Sequence, residues 1–310
     1  MLLFNRKKKG AIEVNYYEIK NSDYTAKIDL DKGANCIQFR NTKYDVHILK
    51  NVAEPFLCGM PILFPANRIK EGRFVFETRE YRFPINEPST GCHLHGNLHH
   101  CKFELLSAGT DFAVCYYRPR AKEEFFGGIH EFEIVMLYRL TEKGLEQRTT
   151  ITNCSETNMP LIMGFHTTFA VDNETTCVYA DVEDYVERDS ATYLPTGNII
   201  QSDEITEQIQ QGKYVIGARG LSRFYKAGKK GDMYIHDLDN HNIIRYSNSA
   251  NMRYRMLFKG NSIGYICLEP QNCMIDCLNG TFDSEYSEFQ FLKPDESETY
   301  SSSITFEHYE

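Results

Sequence analysis

The chain has 310 residues, 42% of them hydrophobic and 25% charged. That is an ordinary globular balance, with length enough for one large domain or two smaller ones. A formal net charge of −9 disfavours phosphate backbones and anionic lipid surfaces, so nucleic-acid and membrane partners are set aside.

Taken from the N-terminus, the run Lys7-Lys8-Lys9 reads as a solvated terminus, and no long apolar stretch follows Met1 to Leu3, so no signal peptide is expected. Nowhere does an apolar run approach the roughly 20 residues of a membrane span. The segment Gly59 to Ile69 carries Pro61 and Pro65 in an apolar context. Two prolines break a regular strand, so it reads as a shaped loop or sheet crossing that delivers Asn67 and Arg68 at its end. The Arg68 fork suits paired hydroxyls, and a surface arginine is an equal reading. Gly72 to Ile85 reads as a hairpin, with Phe74 and Phe76, then Tyr81, Phe83 and Ile85, alternating with polar neighbours.

Four of the ten histidines then fall within eight residues, at His93, His95, His99 and His100. On a strand His93 and His95 share a face, but the spacing matches no specific zinc pattern. A hydroxyl-binding histidine beside Gly96, which admits a close ligand, is preferred. Phe132, Ile134, Met136 and Tyr138 alternate cleanly. Thr141 to Gly144 supplies a turn, and Leu145, Gln147, Thr149 and Ile151 return. His166 lies in the apolar stretch Met163 to Phe169, as a core residue or, in a cleft, a proton donor. Glu204 to Gln211 reads as a short helix capped by Ser202 or Asp203. Gly264 to Gln271 is an apolar strand ending in Glu269, and Pro270 is expected to stop its ladder. A carboxylate there needs a partner or a raised pKa. Phe289 and Phe291 lead to a turn at Lys293 to Asp295, and the chain returns through Tyr300, Ser302, Ile304 and Phe306.

Twenty Phe and twenty Tyr with no Trp agree with this dominance of strands. No repeat, linker or long amphipathic helix appears, so residues 1–310 read as one all-β domain of two packed sheets. The ten cysteines include no C-x-x-C pair and read as reduced, mostly buried thiols of a cytoplasmic protein. The sequons at Asn153, Asn173 and Asn279 then carry no meaning.

Pro61 to Ile69, His95-Gly96, His166 with Phe169, Leu268-Glu269-Pro270 and the closing Leu292 to Ser297, in that order, resemble the aldose 1-epimerase (galactose mutarotase-like) family. The resemblance spans nearly the whole chain. It implies a large antiparallel β-sandwich, the supersandwich, with a sugar cleft on one sheet face. It implies interconversion of the α and β anomers of a free aldose without metal or cofactor. Glu269 would be the general base and His166 the general acid, while Arg68, His95 and Asn67 bind the sugar. Two departures mark a divergent branch. Thr167, Thr168, Phe169 and Ala170 stand where Pro-Tyr-Phe-Asn is usual, and no sugar-binding acid aligns around Gly220 to Phe224, with Asp237 and Asp239 the nearest. A hexose-6-phosphate epimerase using Arg73, Arg79 and Arg82 as a basic pocket, and a non-catalytic carbohydrate-binding protein, are the alternatives. A monomer and a homodimer both fit.

Overall fold

A computed structural model describes residues 15–50, 58–119, 129–171, 175–217, 219–261 and 264–310. Lys7 to Lys9 and Asn173 fall outside them. The expected period-two patterns become strands. In Phe132–Leu140 the residues Phe132, Ile134, Met136 and Tyr138 are buried, and Gly144–Asn153 buries Leu145, Gln147, Thr149 and Ile151 opposite. Gly144 is required at the turn, because its φ is +151° and a Cβ would stand 2.0 Å from the Ile304 carbonyl oxygen.

These two strands are central in a nine-stranded antiparallel sheet that continues through Ser297–His308, Asn242–Asn248 and Met233–Asp237. A second sheet has eight strands. We label them β1 (Ile62–Leu63), β2 (Gly164–Phe165), β3 (Thr167–Ala170), β4 (Val182–Arg188), β5 (Pro195–Ile200), β6 (Leu221–Ala227), β7 (Tyr254–Lys259) and β8 (Tyr265–Gln271). Their order is β5-β4-β6-β7-β8-β2-β1, with β3 also pairing β8. A four-stranded sheet over Tyr16–Lys20, Tyr24–Asp29, Asn35–Asn41 and Val46–His47 and three two-stranded ribbons complete the antiparallel fold.

The main core lies between the sheets, where Ile134 and Tyr300 of the nine-stranded sheet join Ile266 and Leu268 of β8. Successive strand residues face opposite sides, so Cys267, Glu269 and Gln271 point to the other face of the eight-stranded sheet. There Val186, Phe224, Met256 and Glu269 stand in one cross-strand row over β4, β6, β7 and β8. Val186, Phe224, Tyr254 and Met256 form a smaller apolar cluster with Met274 and Ile275 on this face.

Two expectations need correction. Pro270 does not end its strand: β8 runs through Gln271, opposite Tyr254 and Gly164. The missing N–H is tolerated because the neighbouring chain breaks its own ladder at His166, whose N–H turns to the Pro61 carbonyl. The strand before the last turn, Gln290–Leu292, pairs with Met159–Leu161 and not with the returning strand. It buries Leu292, while Phe289 and Phe291 cluster with Phe76 near the surface, ring centroids 5.3 and 5.6 Å away. The hairpin is confirmed as Arg73–Phe76 with Arg79–Arg82, and the helix as Glu204–Gln210, its cap being Asp203. A second short helix, Ser284–Ser287, went unanticipated.

Candidate active site

Four chain segments bring the candidate residues to the outer face of the eight-stranded sheet. Glu269 comes from β8 and His166 from the break between β2 and β3. His166 Nε2 lies 3.3 Å from Glu269 Oε1, with both side chains almost fully buried. Asn272, just past β8, fixes this juxtaposition. Its Oδ1 accepts from the Met163 N–H at 2.7 Å, and its Nδ2 donates to the Leu161 carbonyl at 2.7 Å and to Tyr300 Oη at 3.1 Å.

Asn67 follows the cis Phe64–Pro65 peptide and has φ +58°. It donates from Nδ2 to Gln271 Oε1 at 3.3 Å, which joins its loop to β8. His95 lies one residue beyond the ribbon strand Cys92–Leu94, which pairs with Arg68–Lys70. Its N–H reaches the Asn67 carbonyl at 2.9 Å, and its ring meets His166 edge-on with centroids 5.4 Å apart. Gly96 is needed next to it, since φ is +62° and a Cβ would stand 2.1 Å from the Phe64 carbonyl oxygen. The left-handed φ of +66° at His95 breaks strand alternation, so His93 does not share its direction. His93 Nδ1 instead meets the Pro84 carbonyl at 2.8 Å. His99 packs on His100 with ring centroids 3.9 Å apart.

Arg68 is held by a residue the sequence did not single out. Glu87 accepts from Nε and Nη2 at 2.7 Å each, which leaves Nη1 outside this pair. The guanidinium also stands 4.8 Å from the centre of the Tyr193 ring. A second guanidinium, Arg188 at the end of β4, stands 6.0 Å from the same ring. Glu87, Arg188, Tyr193 and Gln271 were all missed as site residues. Only Gln271 carried a signal, lying two residues beyond Glu269 on the same strand face.

Electrostatics set the pair apart. Burial pushes Glu269 up to about 8, against the pull of Arg188 and then Arg68. Burial pushes His166 down to about 4, and moves His95 well below its ordinary value. Between those two values the Glu269–His166 pair holds one proton. With the proton on Glu269 both groups are neutral; with it on His166 they form a carboxylate and an imidazolium, the state the arginines favour. Cys267 Sγ joins His166 and Glu269 in a group of atoms within 4.8 Å of one another. Burial and the neighbouring Glu269 push that thiol well above its usual range.

The other arginines and acids considered lie elsewhere. Arg73 and Arg82 are solvent-facing on the hairpin and paired with Glu71 and Glu80, and Arg79 reaches Thr157. Asp237 ends a strand of the nine-stranded sheet, where it binds Asn240 at the turn, and Asp239 is exposed in that turn. Arg223 pairs with Asp203.

The profile of the aldose 1-epimerase family matches residues 15–305, and the chain belongs to that family. Solved structures agree. A galactose mutarotase-like protein from Clostridium acetobutylicum superposes with TM-score 0.90 at 25% identity, over 97% of this chain and 98% of that one. A GalM/aldose epimerase homologue from C. elegans gives TM-score 0.78 at 16% identity, over 96% and 100%. Galactose 1-epimerase from Lactobacillus acidophilus gives 0.69 at 14%, over 98% and 97%. The last two show likeness of fold. Among curated proteins, the uncharacterised YphB of Escherichia coli K12 is 25% identical over 115 residues, 37% of this chain and 38% of YphB. That match spans well under half of the relative.

Proposed function

We propose that this cleft is an aldose 1-epimerase site that interconverts the α and β anomers of a free aldose. One observation carries the reading: an imidazole and a carboxyl group, both buried, 3.3 Å apart and positioned to share one proton. Mutarotation needs a proton removed from O1 while the ring oxygen O5 gains one. Both oxygens are bonded to C1, so two adjacent groups can address them together. With the shared proton on His166, Glu269 takes the O1 proton as base and His166 protonates O5. The C1–O5 bond opens to the aldehyde. Rotation about C1–C2 presents the other face, and ring closure returns each proton by the reverse route. Atoms and charge balance over the cycle, and neither redox change nor metal is needed.

Arg68, braced by Glu87, and His95 bind sugar hydroxyls, with Asn67 and Gln271 holding the adjoining wall. Each acid–base group contributes roughly 10²–10⁴-fold. One domain suffices, because residues from Asn67 to Gln271 converge on one sheet face. Free and mostly buried thiols fit a reducing, cytoplasmic setting. The hexose 6-phosphate reading loses its support from Arg73, Arg79 and Arg82, which stay on the outer hairpin.

The test is anomer exchange followed by NMR at C1 over a panel of aldoses. The wild type should exchange at least one sugar faster than buffer. Binding of sugars with exchange at the buffer rate throughout would leave a carbohydrate-binding protein instead.

A further inference from the structure

Arg188 has no place in the proton relay, yet its setting is unusual. Its Nη2 is anchored on Ser222, donating to the carbonyl at 2.7 Å and to Oγ at 2.8 Å. Its Nε and Nη1 are shielded from solvent and have no hydrogen-bond partner among the described residues. No described carboxylate lies within ion-pair distance. Burial pulls its pKa down, and the carboxylate that acts on it, after the Tyr185 hydroxyl, is Glu269, which is itself engaged with His166. Arg255, the fully buried guanidinium, leaves only Nε without a partner: its Nη1 and Nη2 meet the carbonyls of Met252, Tyr254 and Gly231.

A shielded cation with idle donors is costly unless something else completes it. The row Ser222, Phe258 and Cys267 crosses the same sheet face as Glu269, one step along the strands, and the Arg188 side chain is anchored at its Ser222 end. Arg188 thus stands beside the candidate pair, near the same Tyr193 ring as Arg68. The charges in the cleft do not cancel. Arg68 is neutralised by Glu87, and the Glu269–His166 pair is neutral with its single proton in either position. One positive charge is left over.

We propose that Arg188 contacts the ligand and gives the cleft a preference for an aldose bearing a carboxylate away from C1, a sugar acid with its hemiacetal intact. This deepens the epimerase reading and rests on it. A single surplus charge matches a carboxylate better than a phosphate monoester, which carries about −1.5 to −2 at pH 7. A protonated amino sugar is disfavoured for the same reason. A charge-assisted contact of this kind changes affinity about ten- to a hundred-fold.

The experiment compares D-glucuronate, D-galacturonate, glucose, galactose, glucose 6-phosphate and glucosamine. Binding is read by ligand-observed NMR and turnover by anomer exchange, on the wild type, Arg188→Met and Arg188→Lys, with melting temperatures as the folding control. The wild type should favour a uronate over its neutral parent at least about tenfold. Arg188→Met should abolish that ratio, and Arg188→Lys should keep part of it. An unchanged ratio in a folded Arg188→Met, no uronate preference in the wild type, or glucose 6-phosphate above both uronates would overturn the proposal. Uronate binding through Arg188 without any anomer exchange would sink the epimerase reading alone. Exchange of neutral sugars alongside uronate binding and exchange that Arg188→Met leaves unchanged would sink this inference alone.

Discussion

Individual side chains decide what the cleft can do, and some of them are legible in the sequence. Glu269 stands out as a carboxylate in an apolar strand, needing a partner or a raised pKa. It has both, with His166 at 3.3 Å and a value pushed up to about 8. Arg68, His95 and Asn67 lie on the segments next to this pair. Glu87 and Arg188 were invisible because nothing in a sequence links a residue to a partner 19 or 81 positions away. Glu87 makes a prediction. Its two 2.7 Å bonds hold the Arg68 fork in place. Glu87→Ala should raise KM for the best sugar about tenfold, the worth of roughly one charge-assisted bond, with kcat little changed. A steady-state comparison that found kcat reduced and KM untouched would contradict the bracing role.

Elements were read well where one strand face is apolar, because burial on one side writes the period into the sequence. The strands at 132–140 and 144–153 are the clearest cases. Reading failed where tertiary pairing overrode local cues. Gln290–Leu292 found a partner 130 residues earlier, and Pro270 was absorbed inside β8 beside a neighbour that breaks its own ladder. Joints between elements are where the site is most exposed to damage. Asn272 ties the segment leading to His166 to the end of β8. Asn272→Ala strands the Met163 N–H and the Leu161 carbonyl, each costing about 1–3 kcal/mol when buried unpaired. Chemical denaturation should show a loss of roughly 2–4 kcal/mol, and the anomer-exchange rate of the folded fraction should fall as the pair separates. Gly96→Ala should lose stability too, since its Cβ would collide with the Phe64 carbonyl, and it should lower sugar affinity by moving His95. A Gly96→Ala protein as stable and as active as wild type would show that this approach is not needed.

At the scale of the whole molecule, the sheet order was not readable: pairing between strands such as 144–153 and 297–308 depends on contacts across the full chain. The resemblance supplied the architecture that periodicity alone left open. The same buried pair ties the cleft to global stability. Glu269 has a folded value near 8, above its ordinary 4.5. The folded chain therefore keeps a proton that the unfolded chain releases, and this stabilising contribution is lost as pH rises through that window. His166 runs the other way: its value falls from 6.5 to about 4, so its contribution is lost as pH falls through that window. Over pH 6.5 to 8 the wild type should lose ~2 kcal/mol relative to Glu269→Gln. Urea midpoints measured for both proteins across that range would check it, and parallel curves would argue against a carboxyl raised by burial.

The most direct test of the central claim is polarimetry on freshly dissolved aldose, using the best sugar of the exchange panel. Wild type is run beside Glu269→Gln and His166→Asn across pH 3 to 9. The shared-proton account predicts faster relaxation in the wild type, with a bell-shaped profile whose limbs lie near 4 and 8. It predicts a fall of about 10²–10⁴-fold in each variant. Either variant relaxing at the wild-type rate would contradict it.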